Sequence, residues 1–175
     1  MMRRAALAVL LLVLAACGGS SYRDTNVPMT SIALFDAARY SGLWHEVARY
    51  PVWYQEGCRN SRAVYRQTGS DTLSVRNICD RDSGLEEIVG TAKIVGPGRL
   101  RLRLEGVPVT AEYWVLWVDQ DYRTAVVGTP SGRAAWILNR APEISPDRLN
   151  AARDVLRFNG YDLSRLEVKT PEGGQ

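Results

Sequence analysis

Eight short strand-like segments, each followed by turn residues, most constrain how this chain can fold. Trp44 opens the first segment, and the others run over residues 61–68, 73–79, 88–95, 100–104, 112–118, 124–127 and 134–139. Clusters of Gly, Pro, Asp and Ser separate these segments. Regular spacing of this kind predicts an antiparallel all-β domain, either a sandwich or an up-and-down barrel.

The alternation of side chains predicts which face of each strand points inward. In residues 100–104 leucines alternate with arginines, so one face is apolar and the other is charged. In residues 113–118 both alternating sets are apolar. Another element must therefore cover that strand from outside.

A C-terminal helix is predicted to provide that cover. Ser145 suits the N-cap, Pro146 suits the first helical position, and Gly160 suits the position after the end. Apolar residues recur at helical spacing between them, which predicts an apolar stripe packed on the barrel. A small extra strand is expected at residues 166–168.

The segment around the first strand carries a specific motif. The run from Asp36 to Arg49 contains D-x-x-R-Y-x-G-x-W-x-E-V-A-R, and it resembles the first signature of the lipocalins, especially of bacterial members. His45 stands where that family commonly has Tyr. Residues 118–123 and 136–142 resemble the second and third signatures, although the second lacks its usual Thr before the Asp. The resemblance covers residues 35–171 and implies an eight-stranded antiparallel up-and-down β-barrel with one C-terminal α-helix packed outside.

The resemblance also implies a structural cluster at a closed end of the barrel. Gly42 permits a tight change of direction before the first strand, because it lacks a Cβ. Trp44 is expected to plug the base, and Arg140 is expected to lie over its ring. A guanidinium over an indole contributes about 0.5–2 kcal/mol, depending on burial.

The interior of such a barrel holds either packed side chains or one small ligand. Small residues at positions 63, 90, 92 and 125 are expected to leave room. The predicted ligand-binding residues are apolar or aromatic with a few polar groups: Tyr65, Val75, Asn77, Ala92, Leu102, Leu104, Tyr113, Val115, Trp117 and Trp136. This combination is typical of a small-molecule site.

The resemblance implies that the ligand is a fatty acid or a lysophospholipid, carried or stored in the bacterial envelope with its headgroup at the open rim. Arg62 and Arg66 are the basic candidates for that rim, and neither is assigned a role. The alternative is a barrel filled with side chains, which would make the protein structural or adhesive.

Glu46 and His45 are the candidate catalytic groups in the first strand. Alternation from Trp44 turns Glu46 and Ala48 inward and His45 away from the cavity. Glu46 is then a buried carboxylate paired with an interior Arg or Tyr, or a structural or exposed group. The sequence contains no G-x-S-x-G elbow and no glycine-rich phosphate loop, so we predict that the protein is not an enzyme. The alternative is a lipocalin-fold enzyme acting on a lipid or isoprenoid through Glu46 or a tyrosine.

The N-terminus has the features of an export signal. Two arginines precede an apolar run over residues 5–16, which is too short to span a membrane comfortably. Residues 14–17, Leu-Ala-Ala-Cys, resemble a bacterial lipobox, which implies a signal peptide at 1–16 and lipid attachment at Cys17. The alternative is an ordinary signal peptide with a chance cysteine. Two or more acyl chains would form a stable membrane anchor.

The remaining chain is divided accordingly. Residues 17–30 are expected to form a lipidated flexible tether, residues 31–171 the lipocalin domain, and residues 172–175 a tail. Gly18 after the cysteine is compatible with outer-membrane sorting, so the domain is expected on the outer membrane, facing the periplasm.

Cysteine and charge content limit the other partners. Cys58 and Cys79 form an even pair in an exported chain, which predicts a disulfide. The chain has one histidine and no C-x-x-C spacing, so neither a metal site nor a cofactor is predicted. Removal of Arg3 and Arg4 lowers the formal net charge from +3 to about +1, a balance that argues against a nucleic-acid partner.

Overall fold

The computed structural model describes residues 21–169. Its helices and strands follow in chain order: α1 (Ala37–Tyr40), β1 (Gly42–Arg49), β2 (Asn60–Gln67), β3 (Thr72–Arg81), β4 (Gly84–Gly96), β5 (Arg99–Leu104), β6 (Thr110–Val118), β7 (Thr124–Gly128), β8 (Ala135–Asn139), α2 (Pro146–Phe158) and β9 (Glu167–Val168). Single-turn 3₁₀ helices occur at Trp53–Gln55 and Leu163–Arg165. Between residues 21 and 169, no helix combines the length and apolarity that a membrane crossing needs.

The strands close into a barrel. Consecutive strands from β2 to β8 pair antiparallel, β8 pairs with β1, and β1 pairs back with β2. The short strand β9 adds to β1 where β1 has separated from β2. The prediction of an eight-stranded up-and-down barrel with one small extra strand is therefore confirmed, and the sandwich is excluded.

The up-and-down order gives the barrel a closed end and an open end. Helix α1 and the turns β2–β3, β4–β5 and β6–β7 lie at the closed end. The open end is formed by the β1–β2 loop (residues 50–59), the β3–β4 hairpin, the β5–β6 loop (105–109) and the β7–β8 loop (129–134).

Two separate apolar clusters hold the fold together. The inner cluster fills the lower barrel and includes Trp44, Leu73 and Leu100, which are almost completely buried. The outer cluster lies between the barrel wall and α2 and includes Leu116 and Leu156. Full burial of one such side chain contributes about 1.5–3 kcal/mol. The outer cluster explains why both faces of β6 are apolar, and it confirms that α2 packs outside.

Two β-bulges change which side chains point inward. The register shifts between Glu46 and Ala48 in β1, and between Val115 and Trp117 in β6. One extra residue in a strand moves the following side chains to the opposite face. Ala48 and Trp117, both expected inside, therefore belong to the outer cluster under α2.

Residues 21–30 pack on the outside of the barrel. Arg23 is only 7% exposed, and its guanidinium donates hydrogen bonds to the carbonyl oxygens of Asn159 and Pro130, both at 2.9 Å. The flexible tether expected over residues 17–30 is therefore a docked segment from Ser21 onward. Residues 17–20, the signal peptide and the tail at 172–175 lie outside the described residues.

Candidate ligand-binding site

A cavity of about 570 Å³ lies inside the barrel above the inner cluster and reaches the open-end loops. Its wall is mainly apolar and aromatic, and includes Ala63, Tyr65, Leu102, Leu104, Tyr113, Trp136 and Leu138. Small-molecule sites typically measure about 300–1,000 Å³. The upper part of the barrel is therefore hollow, whereas the lower part is filled with side chains.

Six of the predicted lining residues reach this cavity: Tyr65, Asn77, Leu102, Leu104, Tyr113 and Trp136. Val75, Ala92 and Val115 do not line it and are buried deeper in the inner cluster, each at most 2% exposed. Trp117 lies on the outer side of the wall because the bulge in β6 reverses its direction.

Small side chains explain the hollow only in part. All three alanines belong to the inner cluster, but only Ala63 lines the cavity, whereas Ala92 and Ala125 do not reach it. At Gly90 an added Cβ would lie 2.2 Å from the carbonyl oxygen of Arg103. That glycine therefore permits the close approach of β4 and β5 rather than providing space for a ligand.

The closed end has the arrangement that the sequence motifs imply. The Arg140 guanidinium carbon lies 3.8 Å from the centroid of the Trp44 ring, and Trp44 is fully buried. Gly42 has a φ of +106°, and an added Cβ would lie 3.0 Å from Arg140 Nη1. Both the backbone angle and the neighbouring guanidinium thus favour glycine at this position.

Three tyrosine hydroxyls meet at the floor of the cavity. Tyr113 Oη lies 2.8 Å from Tyr40 Oη and 2.9 Å from Tyr65 Oη. Burial raises the pKa of Tyr65 to about 12 and raises the pKa of Tyr113 well above its ordinary value, so both hydroxyls keep their protons at neutral pH. Two hydrogen bonds use two of the three hydroxyl protons. The third proton has no acceptor within this trio.

Glu46 lies in the upper wall of the cavity, with 4% of its side chain exposed. Its Oε2 accepts a hydrogen bond from Gln55 Nε2 at 2.7 Å, and its Oε1 lies 3.2 Å from Lys169 Nζ and 3.5 Å from Arg49 Nη1. Burial lowers the pKa of Lys169, and the Glu46 carboxylate opposes that shift. Glu46 therefore faces inward as expected, and because both of its oxygens are engaged the arrangement favours a structural role.

Sequence reasoning missed two members of this group. Gln55 belongs to the 3₁₀ turn Trp53–Gln55. The available signal in the sequence was the pair of aromatic residues that precede it, Trp53 and Tyr54, both of which are exposed. Lys169 directly follows β9, and its amide donates to the Val47 carbonyl oxygen at 2.9 Å. Its position beside Glu46 depends on a pairing between distant parts of the chain, which local patterns do not reveal.

The other candidate residues separate into rim and non-rim positions. Arg62 reaches the cavity and forms two hydrogen bonds with the Asp80 carboxylate, at 2.8 and 3.1 Å. Arg66 is exposed near the closed end of β2 and does not line the cavity. His45 also lies outside the cavity lining, and burial, Arg62 and Lys169 together lower its pKa.

The mouth of the cavity combines aromatic, apolar and charged groups: Trp53, Tyr54, Arg81, Glu86, Val107 and Val109. The predicted disulfide is present between Cys58 and Cys79, 21 residues apart in sequence, and it ties the β1–β2 loop to β3. The site is therefore a hollow with charged groups at its rim and apolar walls below.

Known proteins with this architecture agree with the sequence motifs. Residues 35–171 match the family model described as Lipocalin-like domain. The chain is 32% identical over 145 residues to temperature-induced lipocalin-1 of Arabidopsis thaliana, covering 77% of each protein. It is also 32% identical over 142 residues to outer membrane lipoprotein Blc of Escherichia coli, covering 79% of this chain and 80% of that protein.

Solved structures with lower sequence identity share the fold. Insecticyanin from the tobacco hornworm Manduca sexta superimposes with a TM-score of 0.67 at 21% identity, covering 87% of each chain. Lobster apocrustacyanin A1 superimposes with a TM-score of 0.63 at 16% identity, covering 77% of this chain and 79% of that chain. Motifs, topology and relatives agree, and this chain belongs to the lipocalin family.

Proposed function

We propose that this protein binds one single-chain amphiphilic lipid, a fatty acid or a lysophospholipid, and carries or stores it in a bacterial envelope. Lipocalins bind small hydrophobic molecules, and the cavity supports this function here. The observation that carries the proposal is the change of polarity along the cavity, from a charged rim to apolar and aromatic walls.

The apolar depth of the cavity favours an alkyl chain. Leu102, Leu104 and Leu138 line it together with the ring of Trp136. Each methylene transferred from water to such surroundings contributes about 0.8 kcal/mol. Desolvation of the chain therefore provides the main part of the binding free energy, without any covalent step.

The rim suits a polar headgroup that stays near water. Arg81 and Glu86 form an ion pair at the mouth, and Arg62 pairs with Asp80 beside it. Arginine can bind a carboxylate or a phosphate, and a carboxylate can bind an ammonium group. Charges of both signs thus fit a fatty acid carboxylate as well as the headgroup of a lysophospholipid.

The proposed location is the outer membrane, with the domain anchored through acylated Cys17 and facing the periplasm. The lipobox-like residues 14–17 support this, together with the similarity to outer membrane lipoprotein Blc. The protein is proposed to act as a carrier rather than as an enzyme, because both oxygens of Glu46 are occupied by neighbouring side chains.

Native mass spectrometry of the full chain purified from cells tests this function. A co-purified fatty acid or lysophospholipid of unchanged mass supports the carrier. A chemically converted lipid supports the lipocalin-fold enzyme instead. An empty protein that also fails to bind a fluorescent fatty acid contradicts the proposal.

A further inference from the structure

The docked N-terminal segment ends beside the mouth of the cavity. The backbone N–H of Tyr22 donates to the Gly132 carbonyl oxygen at 2.7 Å, in the β7–β8 loop. The Tyr22 hydroxyl donates to the Pro51 carbonyl oxygen at 2.6 Å, in the β1–β2 loop. Both loops belong to the open end, so Ser21 leaves the domain at the level of the mouth.

Covalent geometry limits how far Cys17 can lie from that point. Four residue steps separate Ser21 from Cys17. A fully extended chain spans at most about 3.6 Å per residue, which gives a reach of about 14 Å. An acyl group on Cys17 therefore holds the membrane surface close to the open end and not to the closed end.

Exposed apolar side chains collect at the same end of the barrel. Within residues 21–169, the five most exposed large apolar side chains are Leu34, Trp53, Phe158, Val109 and Leu85. Trp53, Val109 and Leu85 lie in or beside the open-end loops, and Trp53 is 83% exposed.

Phe158 ends α2 on the same side of the molecule. The next residue, Asn159, is linked to the β7–β8 loop through Arg23. The Arg23 guanidinium donates hydrogen bonds to the carbonyl oxygens of both Asn159 and Pro130, and Pro130 belongs to that loop. Leu34 is the exception, since the backbone N–H of nearby Asp36 donates to the Tyr122 hydroxyl in the β6–β7 turn at the closed end. Three of the five most exposed apolar side chains therefore lie in or beside the open-end loops, and Phe158 ends α2 next to a residue linked to one of those loops.

The chemistry of this end suits a lipid bilayer. Tryptophan and tyrosine favour the interface between headgroups and acyl chains, because their rings are apolar with one polar group. The charges are mixed, since Arg59 pairs with Asp82 and Arg81 pairs with Glu86. Insertion of apolar side chains, rather than attraction between net charges, is therefore the expected basis of contact.

We infer that the open end of the barrel contacts the bilayer in which Cys17 is anchored, so that the lipid ligand exchanges directly between that bilayer and the cavity. This inference rests on the acylation of Cys17 in the proposed function. It adds an orientation, with the mouth toward the membrane and the closed end of Trp44 and Arg140 away from it.

Fluorescence quenching of the full acylated chain tests the orientation. The protein is reconstituted on vesicles of phosphatidylethanolamine and phosphatidylglycerol whose acyl chains are partly brominated, because bromine quenches tryptophan at the membrane interface. We expect Trp53 to be quenched, so that Trp53→Phe loses the bromine-dependent quenching. Trp114→Phe is the matched control, since Trp114 is half-buried against the outer cluster with Arg99 over its ring, and it should retain the quenching.

Substitution of exposed apolar residues gives a second measurement. Val109→Ser should reduce the quenching of Trp53, whereas Leu34→Ser at the opposite end should leave it unchanged. Raising the salt concentration should have little effect on the quenching, because the contact is apolar.

The outcomes separate this inference from the anchor on which it rests. Mass spectrometry of the same sample reports acylation of Cys17, and flotation with vesicles reports anchoring. Acylated protein that floats with vesicles but shows equal quenching in the Trp53→Phe variant and the parent chain overturns the orientation and leaves the anchor intact. Absence of acylation overturns both.

Discussion

The side-chain amide of Gln55 donates a hydrogen bond to the Glu46 carboxylate at 2.7 Å. The same amide accepts a hydrogen bond from Trp136 Nε1 at 2.9 Å through its oxygen. One residue of the β1–β2 loop is therefore joined to β1 and to β8, two adjacent strands of the cavity wall. This contact fixes the loop over the upper wall, and it provides hydrogen-bond partners for the buried Glu46 carboxylate and the half-buried Trp136 indole.

Replacement of Gln55 by leucine tests the importance of this contact. Leucine has a similar size but leaves Glu46 Oε2 and Trp136 Nε1 without these partners. An unsatisfied buried polar group costs about 1–3 kcal/mol, so the free energy of unfolding should fall by that order in urea titrations. Gln120→Leu is the control, because Gln120 is exposed in the β6–β7 turn and should change stability by less than about 0.5 kcal/mol. Equal stability of the two variants would contradict this role for Gln55.

The sequence predicted the architecture well because its strongest signals are local. Alternating leucines in β5 marked one apolar face, and Ser145 and Gly160 bracketed the observed helix Pro146–Phe158. The positions of Gly42, Trp44 and Arg140 followed from motif resemblance, and the contact between Arg140 and Trp44 is present. Each of these features depends on short stretches whose residue types allow few conformations.

The site itself was predicted less well, because its lining depends on parity along each strand. A bulge in β6 moves Trp117 outward, and the segment that contains it is apolar on both faces, so the sequence carries no sign of the change. A bulge in β1 likewise moves Ala48 outward. Gln55 and Lys169 reach Glu46 from a loop and from the C-terminal strand, and such contacts arise only in the closed barrel.

Arg140 is predicted to stabilise the closed end through the several N–H donors of its planar guanidinium as well as through its charge. Its guanidinium donates to the carbonyl oxygens of Leu43 at 2.9 Å, Arg39 at 2.7 Å and Ser41 at 3.0 Å. Lysine keeps the charge but cannot reproduce this planar arrangement. Arg140→Lys should lower the free energy of unfolding by about 2–4 kcal/mol, from the lost hydrogen bonds and the contact with Trp44.

Urea unfolding followed by tryptophan fluorescence measures this effect. Arg101→Lys is the matched control, because Arg101 is exposed on the outer face of β5. A loss no larger in Arg140→Lys than in the control would show that charge alone is sufficient at the closed end.

Asp119 is predicted to make stability depend on pH in the acidic range. Its Oδ1 accepts the backbone N–H of Arg123 at 2.5 Å and of Thr124 at 2.6 Å. Burial raises the pKa of this carboxyl, but the hydrogen bonds from Thr124 and Arg123 outweigh burial, so the pKa lies below its ordinary value. In the unfolded chain an aspartate side chain has a pKa of about 3.9. The stabilising contribution is therefore complete above about pH 5 and is lost as the pH falls through the folded-state pKa.

Urea titrations at a series of pH values compare the parent chain with Asp119→Asn. The parent should be more stable at neutral pH, and the difference should shrink as the pH falls below about 4. Glu105→Gln, which changes an exposed carboxylate in the β5–β6 loop, should follow the parent. A constant difference between the parent and Asp119→Asn over this range would exclude the linkage.

Reduction of the cavity volume is predicted to weaken lipid binding without altering the fold. Leu102 points into the cavity, whereas its neighbour Arg101 points to solvent on the same strand. Leu102→Trp places a larger ring where the alkyl chain of the ligand is proposed to lie. If this excludes three methylenes at about 0.8 kcal/mol each, binding weakens by about 2.4 kcal/mol, or roughly fiftyfold.

Arg101→Trp adds the same ring one residue away on the outer face, and it should leave the dissociation constant of a fluorescent fatty acid unchanged. Overpacking costs about 1–3 kcal/mol of stability, so both variants are first compared by urea unfolding, and binding is measured where both are folded. Equal affinity in the two folded variants would mean that the alkyl chain does not occupy the barrel beside Leu102. A loss confined to Leu102→Trp would locate the chain there, because the two substitutions differ only in the face of β5 that carries the indole.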